Sequence, residues 1–396
     1  MLQILGAVMI RVCVLVQNHP NLVMGGAQYQ GHLLAEELAR RDGVEVTYLA
    51  RDVPPEAARI FNLPYRVRSI GTWAGVRRRA AFFDARQLWR MLRELQPDVI
   101  YQQMRQSYTA VCARYARRAG IPFFFQIASD LDLERGWLIN GISANLPFDV
   151  PESIASIWGL QHATHIIAQT SRQGRTLHQR FDRHPAATVR NFQPLPAGLP
   201  SKSTTPVEVL WVANLKAVKR PELFVELAEA FAGRDELRFT MAGRASDLRR
   251  YDALMRRIKR TPNLEYLGEL SIEAVNVRMA QAAIHVNTSS FEGFPNTFIQ
   301  AWAQGAVVAT IAVDPDEEGM EKLGIGICAG SLERLKTTID ELARSPERRN
   351  AIAERAFAFA HANHSLAHGA RLADMMLDAA ATARSQRAAA RERCAT

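Results

Sequence analysis

Cysteine is scarce in this chain, and what there is does not cluster. Cys13, Cys112, Cys328 and Cys394 are the four present in 396 residues, and no two have a paired spacing. That excludes a disulfide framework and a cysteine-based zinc site, and it fits a reducing compartment such as the cytoplasm. Long apolar runs are also missing, since none reaches the roughly 18 residues that a spanning helix needs. The opening Met1–Val16 stretch is apolar but has no basic leading region and no small-residue cleavage site. No signal peptide is expected, and Met9 reads as an alternative start just ahead of a buried strand. Lysine is absent from residues 1–195, where 23 cations, all Arg, face 15 acids and leave +8. Residues 196–396 hold 26 cations and 25 acids, which leaves only +1. The surplus points to an anionic partner for the first half, or simply to a basic proteome.

What is present is the balance of a soluble globular protein, with 48% hydrophobic and 22% charged residues. The length favours two domains over one core. Apolar runs alternate with amphipathic stretches in both halves, the pattern of parallel sheets covered by crossover helices. The first-half strand candidates are Ile10–Val16, Val44–Ala50, Asp98–Tyr101, Pro122–Ile127 and His165–Ala168, apolar enough to be buried on both faces. Between the first two, Ala27–Arg41 carries Leu33, Leu34 and Leu38 on one helical stripe. Second-half strands fall at Val207–Ala213, Leu237–Ala242, Ile284–Thr288 and Val307–Val313. Helices are expected at Pro221–Phe231, Asp247–Lys259, Ile272–Ala282 and Asn296–Gln304, and from Pro346 to about Ala383. Pro194–Pro206 concentrates Pro, Gly, Ser and Thr and reads as a linker at 196–206. The expected organisation is a domain at 1–195, a second at 207–360, a helix at 361–383 that crosses back to the first, and a frayed tail at 384–396.

Three segments carry chemistry. Gly25 and Gly26 stand at a strand-to-helix turn, where backbone N–H groups and a helix N-terminus suit an anion or a sugar oxygen. The spacing is not that of a dinucleotide fingerprint. Trp211–Pro221 (WVANLKAVKRP) is a strand running into a polar loop and then a helix, and its cations are placed to hold a leaving diphosphate or to form an ordinary solvated loop. Ser290–Gln300 (SFEGFPNTFIQ) runs from a strand into a helix, with Gly293 for the sharp turn and Pro295 suited to the first helical turn. Its amides would face ligand at the carboxyl end of the sheet, with Glu292 at the pocket mouth and Gln300 facing the same crevice.

Together these segments, in this order and on these elements, resemble the family 4 glycosyltransferases over about residues 10–380. The most specific stretch is EGFPNTFIQAWAQGAVVAT at 292–310, which matches the family's Glu-x7-Glu segment. The resemblance implies two Rossmann-like doubly wound α/β domains facing a central cleft (GT-B). The implied substrates are a UDP- or GDP-linked sugar donor and a glycan or lipid-linked acceptor, with retention of anomeric configuration. Lys219 and Glu292 would carry the catalysis, Lys219 neutralising the departing phosphates and Glu292 accepting hydroxyls of the sugar. Gly25, Gly26, Asn214, Gly293, Phe294, Pro295 and Asn296 would line the donor, with backbone N–H groups of the Phe294–Asn296 stretch (Pro295 itself has none) helping to hold the phosphates, and Gln300 would reach the ribose. No cofactor or metal is expected, a reading that counts on no Asp-x-Asp pair beside a strand to hold Mg²⁺.

The departures from the family pattern bear on the chemistry. Gln300 replaces the second Glu, and Asn214 replaces the Arg usually paired with the Lys, leaving Lys216 or Arg220 to take its place. In Gln126–Asp130, Asp130 matches the Asp of a common His-Asp pair, while Ser129 stands where the His would be. A separate feature is the Val76–Gln96 segment, read as one helix. Arg79, Arg86, Arg90 and Arg93 share a stripe with Phe83, opposite Ala85, Leu88, Leu92 and Leu95. That arrangement suits docking on the inner, anionic face of a membrane, or an ordinary solvated face. Competing classes are a catalytically weakened homologue acting as a binding or scaffold subunit, and another GT-B enzyme such as an epimerase or phosphorylase. Nucleic acid is not an expected partner, because the Arg residues are not interleaved with stacking aromatics.

Overall fold

The computed structural model describes residues 9–56, 60–71, 81–134, 146–203, 205–245, 251–315 and 318–395. They fall into two compact units, Met1–Phe192 with Leu366–Thr396, and Gln193–Ser365. Among the described residues the first unit has a seven-stranded parallel sheet. Its strands are β1 (Ile10–Leu15), β2 (Val44–Ala50), β3 (Arg66–Ser69), β4 (Val99–Gln103), β5 (Phe123–Gln126), β6 (His165–Ala168) and β7 (Ala187–Thr188). Their spatial order is β3-β2-β1-β4-β5-β6-β7, so the winding reverses between β1 and β4. All residues of β4 and β5 are buried, as their unbroken apolar and amide runs require of strands covered on both faces. The helices Ser107–Ala119 and Leu146–His162 cross so closely that a Cβ on Gly159 would stand 2.4 Å from Ala110 N.

The helix Leu366–Ala395 belongs to this first unit and buries Leu372, Ala373 and Met376. It stays helical through the segment expected to fray from 384. Arg384 donates to Met9 O (3.2 Å) and Arg387 to Gly120 O (2.8 Å), which extends its attachment beyond the last buried alanine. Its alanine-rich composition favours helix as well.

The second unit has a six-stranded parallel sheet among the described residues. Its strands are β8 (Val207–Val212), β9 (Leu237–Ala242), β10 (Leu264–Tyr266), β11 (Ile284–Asn287), β12 (Val307–Thr310) and β13 (Gly326–Cys328). The order is β10-β9-β8-β11-β12-β13, with the reversal between β8 and β11. Trp211, Phe224 and Phe239 anchor one apolar layer, and Phe294, Phe298 and Trp302 another. The segment read as a linker is bound into this unit. Lys202 Nζ donates to the carbonyls of Met279 (2.9 Å), Ala280 (3.0 Å) and Ala282 (2.5 Å), capping the helix Ile272–Gln281 with a cation. Burial pushes the Lys202 ammonium down to about 7. Among the described residues no helix is long and apolar enough to cross a membrane.

Candidate functional site

Open parallel sheets bind ligands beyond the carboxyl ends of the strands where the winding reverses. In the second unit that place lies beyond β8 and β11, which pair through Val209 and Leu210 with Ile284 and His285. The chain after β8 makes a 3-10 turn, Ala217–Lys219, before the helix Pro221–Ala230, and the chain after β11 leads to the helix Asn296–Ala303. Trp211 Nε1 donates to Thr288 Oγ1 (3.0 Å), and that hydroxyl lies 2.7 Å from Lys219 O and 3.0 Å from Arg220 O. Arg220, left-handed at φ 46°, donates Nε to Thr288 O (2.6 Å) and Nη2 to Ser289 O (3.0 Å). Ser290 N donates to Val218 O (2.9 Å). These bonds fix the two loops to each other.

The cross-bracing brings Lys219 and Glu292 together as an ion pair between Nζ and Oε1. The same oxygen accepts from Ser289 Oγ (2.7 Å) and Asn287 Nδ2 (3.4 Å), while Asn287 Oδ1 accepts from Ser289 N (2.9 Å). Lys219 is 21% exposed and Glu292 13%, so the pair lies at the rim, within reach of ligand. In the strand below, His285 is wholly buried and donates from Nδ1 to Leu210 O (3.1 Å). Burial pushes its pKa down to about 4, against smaller upward pulls from that bond and from Glu292.

The neighbouring predicted residues take varied positions. Gly293 is half-buried beside Glu292. The Phe294 side chain is core, packed on Trp302 and His364, so only its backbone is left for a ligand. Pro295 stands just before the helix with ψ 121°, and Asn296 opens it, which places the proline one step outside the first turn where it was expected. Gln300 is 7% exposed, and its Nε2 donates to Asn276 Oδ1 (2.8 Å). Asn214 Oδ1 accepts from Arg244 N (3.3 Å) where the chain after β9 passes the chain after β8. Arg220 turns two of its guanidinium nitrogens, Nε and Nη2, onto loop carbonyls. Lys216 is exposed. The sequence reading missed Asn287, Thr288 and Ser289; the alternation of polar residues running out of β11 was the available signal.

In the first unit Gly25 caps and Gly26 opens the helix Gly26–Ala39, which follows β1 at that sheet's own reversal. Gln28 Nε2 reaches Met104 Sδ (3.7 Å), just past β4. Asp130 bonds Arg172 Nη2 (3.0 Å) and Gln173 Nε2 (3.2 Å). Contrary to the sequence reading, Asp130-Leu131-Asp132 does have Asp-x-Asp spacing after a strand. Asp132, however, is occupied by three backbone amides, Arg105 (2.8 Å), Ala128 (2.7 Å) and Ser129 (3.2 Å), and acts as a loop brace. Of the arginine stripe, Arg86, Arg90 and Arg93 are exposed on the helix Ala85–Leu95, which buries Leu88, Met91 and Leu92; Arg79 lies outside the described residues. Among the described residues the helix begins at Ala85, and the part of the predicted helix at 76–80 lies outside them. Residues Ala81–Asp84 form a 3-10 turn whose Asp84 is drawn inward to Arg51 Nη2 (2.6 Å) and Tyr108 OH (2.8 Å).

Two doubly wound domains, with an ion pair and a helix start at the reversal of the second, define a GT-B protein. Residues 24–192 match the model of Glycosyltransferase Family 4, and residues 200–359 match Glycosyl transferases group 1. The chain belongs to the family 4 glycosyltransferases. Among solved structures it resembles HepE of Anabaena in complex with UDP-glucose (TM-score 0.70, 16% identity, covering 93% of this chain and 99% of that one). It also resembles sucrose-phosphate synthase of Thermosynechococcus elongatus (TM-score 0.74, 14% identity, 94% and 100% covered). A third is WaaG, a glycosyltransferase involved in lipopolysaccharide biosynthesis (TM-score 0.69, 14% identity, 92% and 99% covered). At such identities the likeness concerns the fold. A search of the curated proteins finds no significant match.

Proposed function

We propose that the protein moves a sugar from a UDP- or GDP-linked donor to a glycan or lipid-linked acceptor, with retention and without a metal or other cofactor. The observation that carries this reading is the Lys219–Glu292 pair at the reversal of the second sheet, beside the start of the helix Asn296–Ala303. A departing nucleoside diphosphate gains negative charge as the glycosidic bond breaks. Lys219 Nζ and the amides at the helix start are the groups to offset it. Glu292 accepts hydroxyls of the sugar, and Gln300 serves the ribose. HepE in complex with UDP-glucose makes UDP-glucose a sensible first probe. Thermal shift with UDP, GDP and their sugars tests the reading, since a ligand at 100 times its Kd adds about 2.7 kcal/mol. No shift with any of them would remove it.

Asn214 and the engagement of Arg220 favour one alternative, a homologue that binds donor with weakened chemistry. Donor-dependent turnover, including slow hydrolysis of the nucleotide sugar, separates the two. We assign the work to polysaccharide or glycoconjugate assembly at the cell envelope, on the cytoplasmic face of the membrane. Arg86, Arg90 and Arg93, exposed on one helix, supply a docking surface worth on the order of 1 kcal/mol each near anionic lipid. Changing all three to Gln should abolish low-salt pelleting with anionic vesicles. Equal pelleting of the wild type with neutral vesicles would count against docking.

A further inference from the structure

We propose that the Lys219–Glu292 pair is an exchange latch. The donor diphosphate takes Lys219 from Glu292, and Ser289 with Asn287 holds the carboxylate in place for the sugar. This rests on the donor site proposed above. Lys219, Ser289 and Asn287 all converge on Oε1 of Glu292, which leaves Oε2 to accept from a ligand hydroxyl. The three donors differ in freedom. Ser289 and Asn287 are 1% and 4% exposed and are tied to each other through Ser289 N and Asn287 Oδ1 (2.9 Å), so they stay where they are. Lys219 ends a flexible four-carbon stem at the rim and can swing.

A cation neutralised by a carboxylate attracts phosphate less strongly, so a diphosphate that draws Lys219 to itself exchanges one ion pair for another. The carboxylate left behind loses its counter-charge, and a sugar hydroxyl that donates to it offsets part of that loss. A nucleotide sugar supplies that donor and a free nucleoside diphosphate does not. The latch therefore biases the site toward the donor over its nucleotide product and favours release of that product after transfer. Ser289 and Asn287 act here as positioning residues.

The test is calorimetric titration of the full chain with UDP, GDP, UDP-glucose and GDP-mannose. Circular dichroism and the unfolding midpoint check each variant, and Glu292→Asn stands in if Glu292→Gln does not fold. Glu292→Gln frees Lys219 and should tighten nucleoside diphosphate binding roughly three- to tenfold. In a Lys219→Met background the same change should have less than about twofold effect, the coupling that a double-mutant cycle isolates. Ser289→Ala should lower the preference for nucleotide sugar over nucleotide by roughly fivefold or more. Equal tightening in both backgrounds would mean simple repulsion between Glu292 and diphosphate, and no tightening in either would mean that the pair restrains nothing. Both results overturn the latch while leaving the donor site intact. A preference unchanged by Ser289→Ala removes the positioning role. A wild type that binds none of the four probes overturns the donor reading and the latch together.

Discussion

Gly243→Ala places a methyl group where two loops of the second unit touch. Gly243 has φ +152°, and a Cβ built on it stands 1.7 Å from Ala213 O and 2.6 Å from Ala213 C. Real Cβ contacts do not fall below 3.0 Å, so the chains must part by at least about 1.3 Å. Both neighbours are backbone, so no side chain can swing aside. The bonds Ala213 N to Ala242 O (3.1 Å) and Leu215 N to Arg244 O (2.9 Å) resist that parting. Losing the two costs about 1 kcal/mol each, and an alanine in that backbone region about 1–3 kcal/mol more. The sum, roughly 3–5 kcal/mol, is a large share of an ordinary domain's stability. Urea unfolding should show a lowered midpoint with little change in slope. Because Ala213–Leu215 leads directly into the turn carrying Lys219, nucleotide affinity should fall in the variant that remains folded. A destabilisation below about 1 kcal/mol would refute the clash, and full destabilisation with unchanged nucleotide affinity would refute the link to the site.

If the proposed donor site is right, with Lys219 on the departing diphosphate and Glu292 on the sugar hydroxyls, Lys219→Ala and Glu292→Ala should each lower transfer by at least roughly 100-fold in a folded protein; near-normal kinetics in either would misplace the donor site. Gln300→Glu should be tolerated and should tighten nucleotide binding by up to about 1 kcal/mol, with the Asn276 amide turning to donate. Calorimetry decides this, and a loss above about tenfold would show that Gln300 must donate. His285, held neutral with its pKa lowered from 6.5 to about 4, contributes stability that is complete above pH 6.5 and is lost as pH falls toward 4, because the unfolded chain takes up the proton first. The contribution reaches about 3 kcal/mol, and His285→Phe should flatten the fall in stability over that range. An unchanged slope would mean that other groups carry it.

The central strands were legible in the sequence because burial on both faces leaves continuous apolar runs such as Phe123–Gln126 and Val307–Thr310. The edge strands Arg66–Ser69, Ala187–Thr188, Leu264–Tyr266 and Gly326–Cys328 were not. Each has four residues or fewer and pairs on one side only, too little to impose a pattern. That Lys219 and Glu292 belong to one site was implied by the family resemblance, and the reversal of winding brings their two loops together; that they pair with each other was not legible. What stayed hidden depends on direction in space. Nothing in a residue list tells that Arg220 turns back onto the carbonyls of Thr288 and Ser289, that Phe294 points into the core, or that three donors share one oxygen of Glu292.

The chain starts in the first unit, builds the whole of the second, and returns for its last helix. On the ribosome this sets an order of completion. When Ser365 has emerged, the second unit is whole, while the first still lacks Leu366–Ala395, the segment that brings Gly369 against Phe192 and buries Leu372, Ala373 and Met376. Until then the first unit exposes an apolar strip, so a nascent chain truncated before residue 366 is a natural client for chaperones and proteases. Unit two therefore matures before unit one, the reverse of their order along the gene.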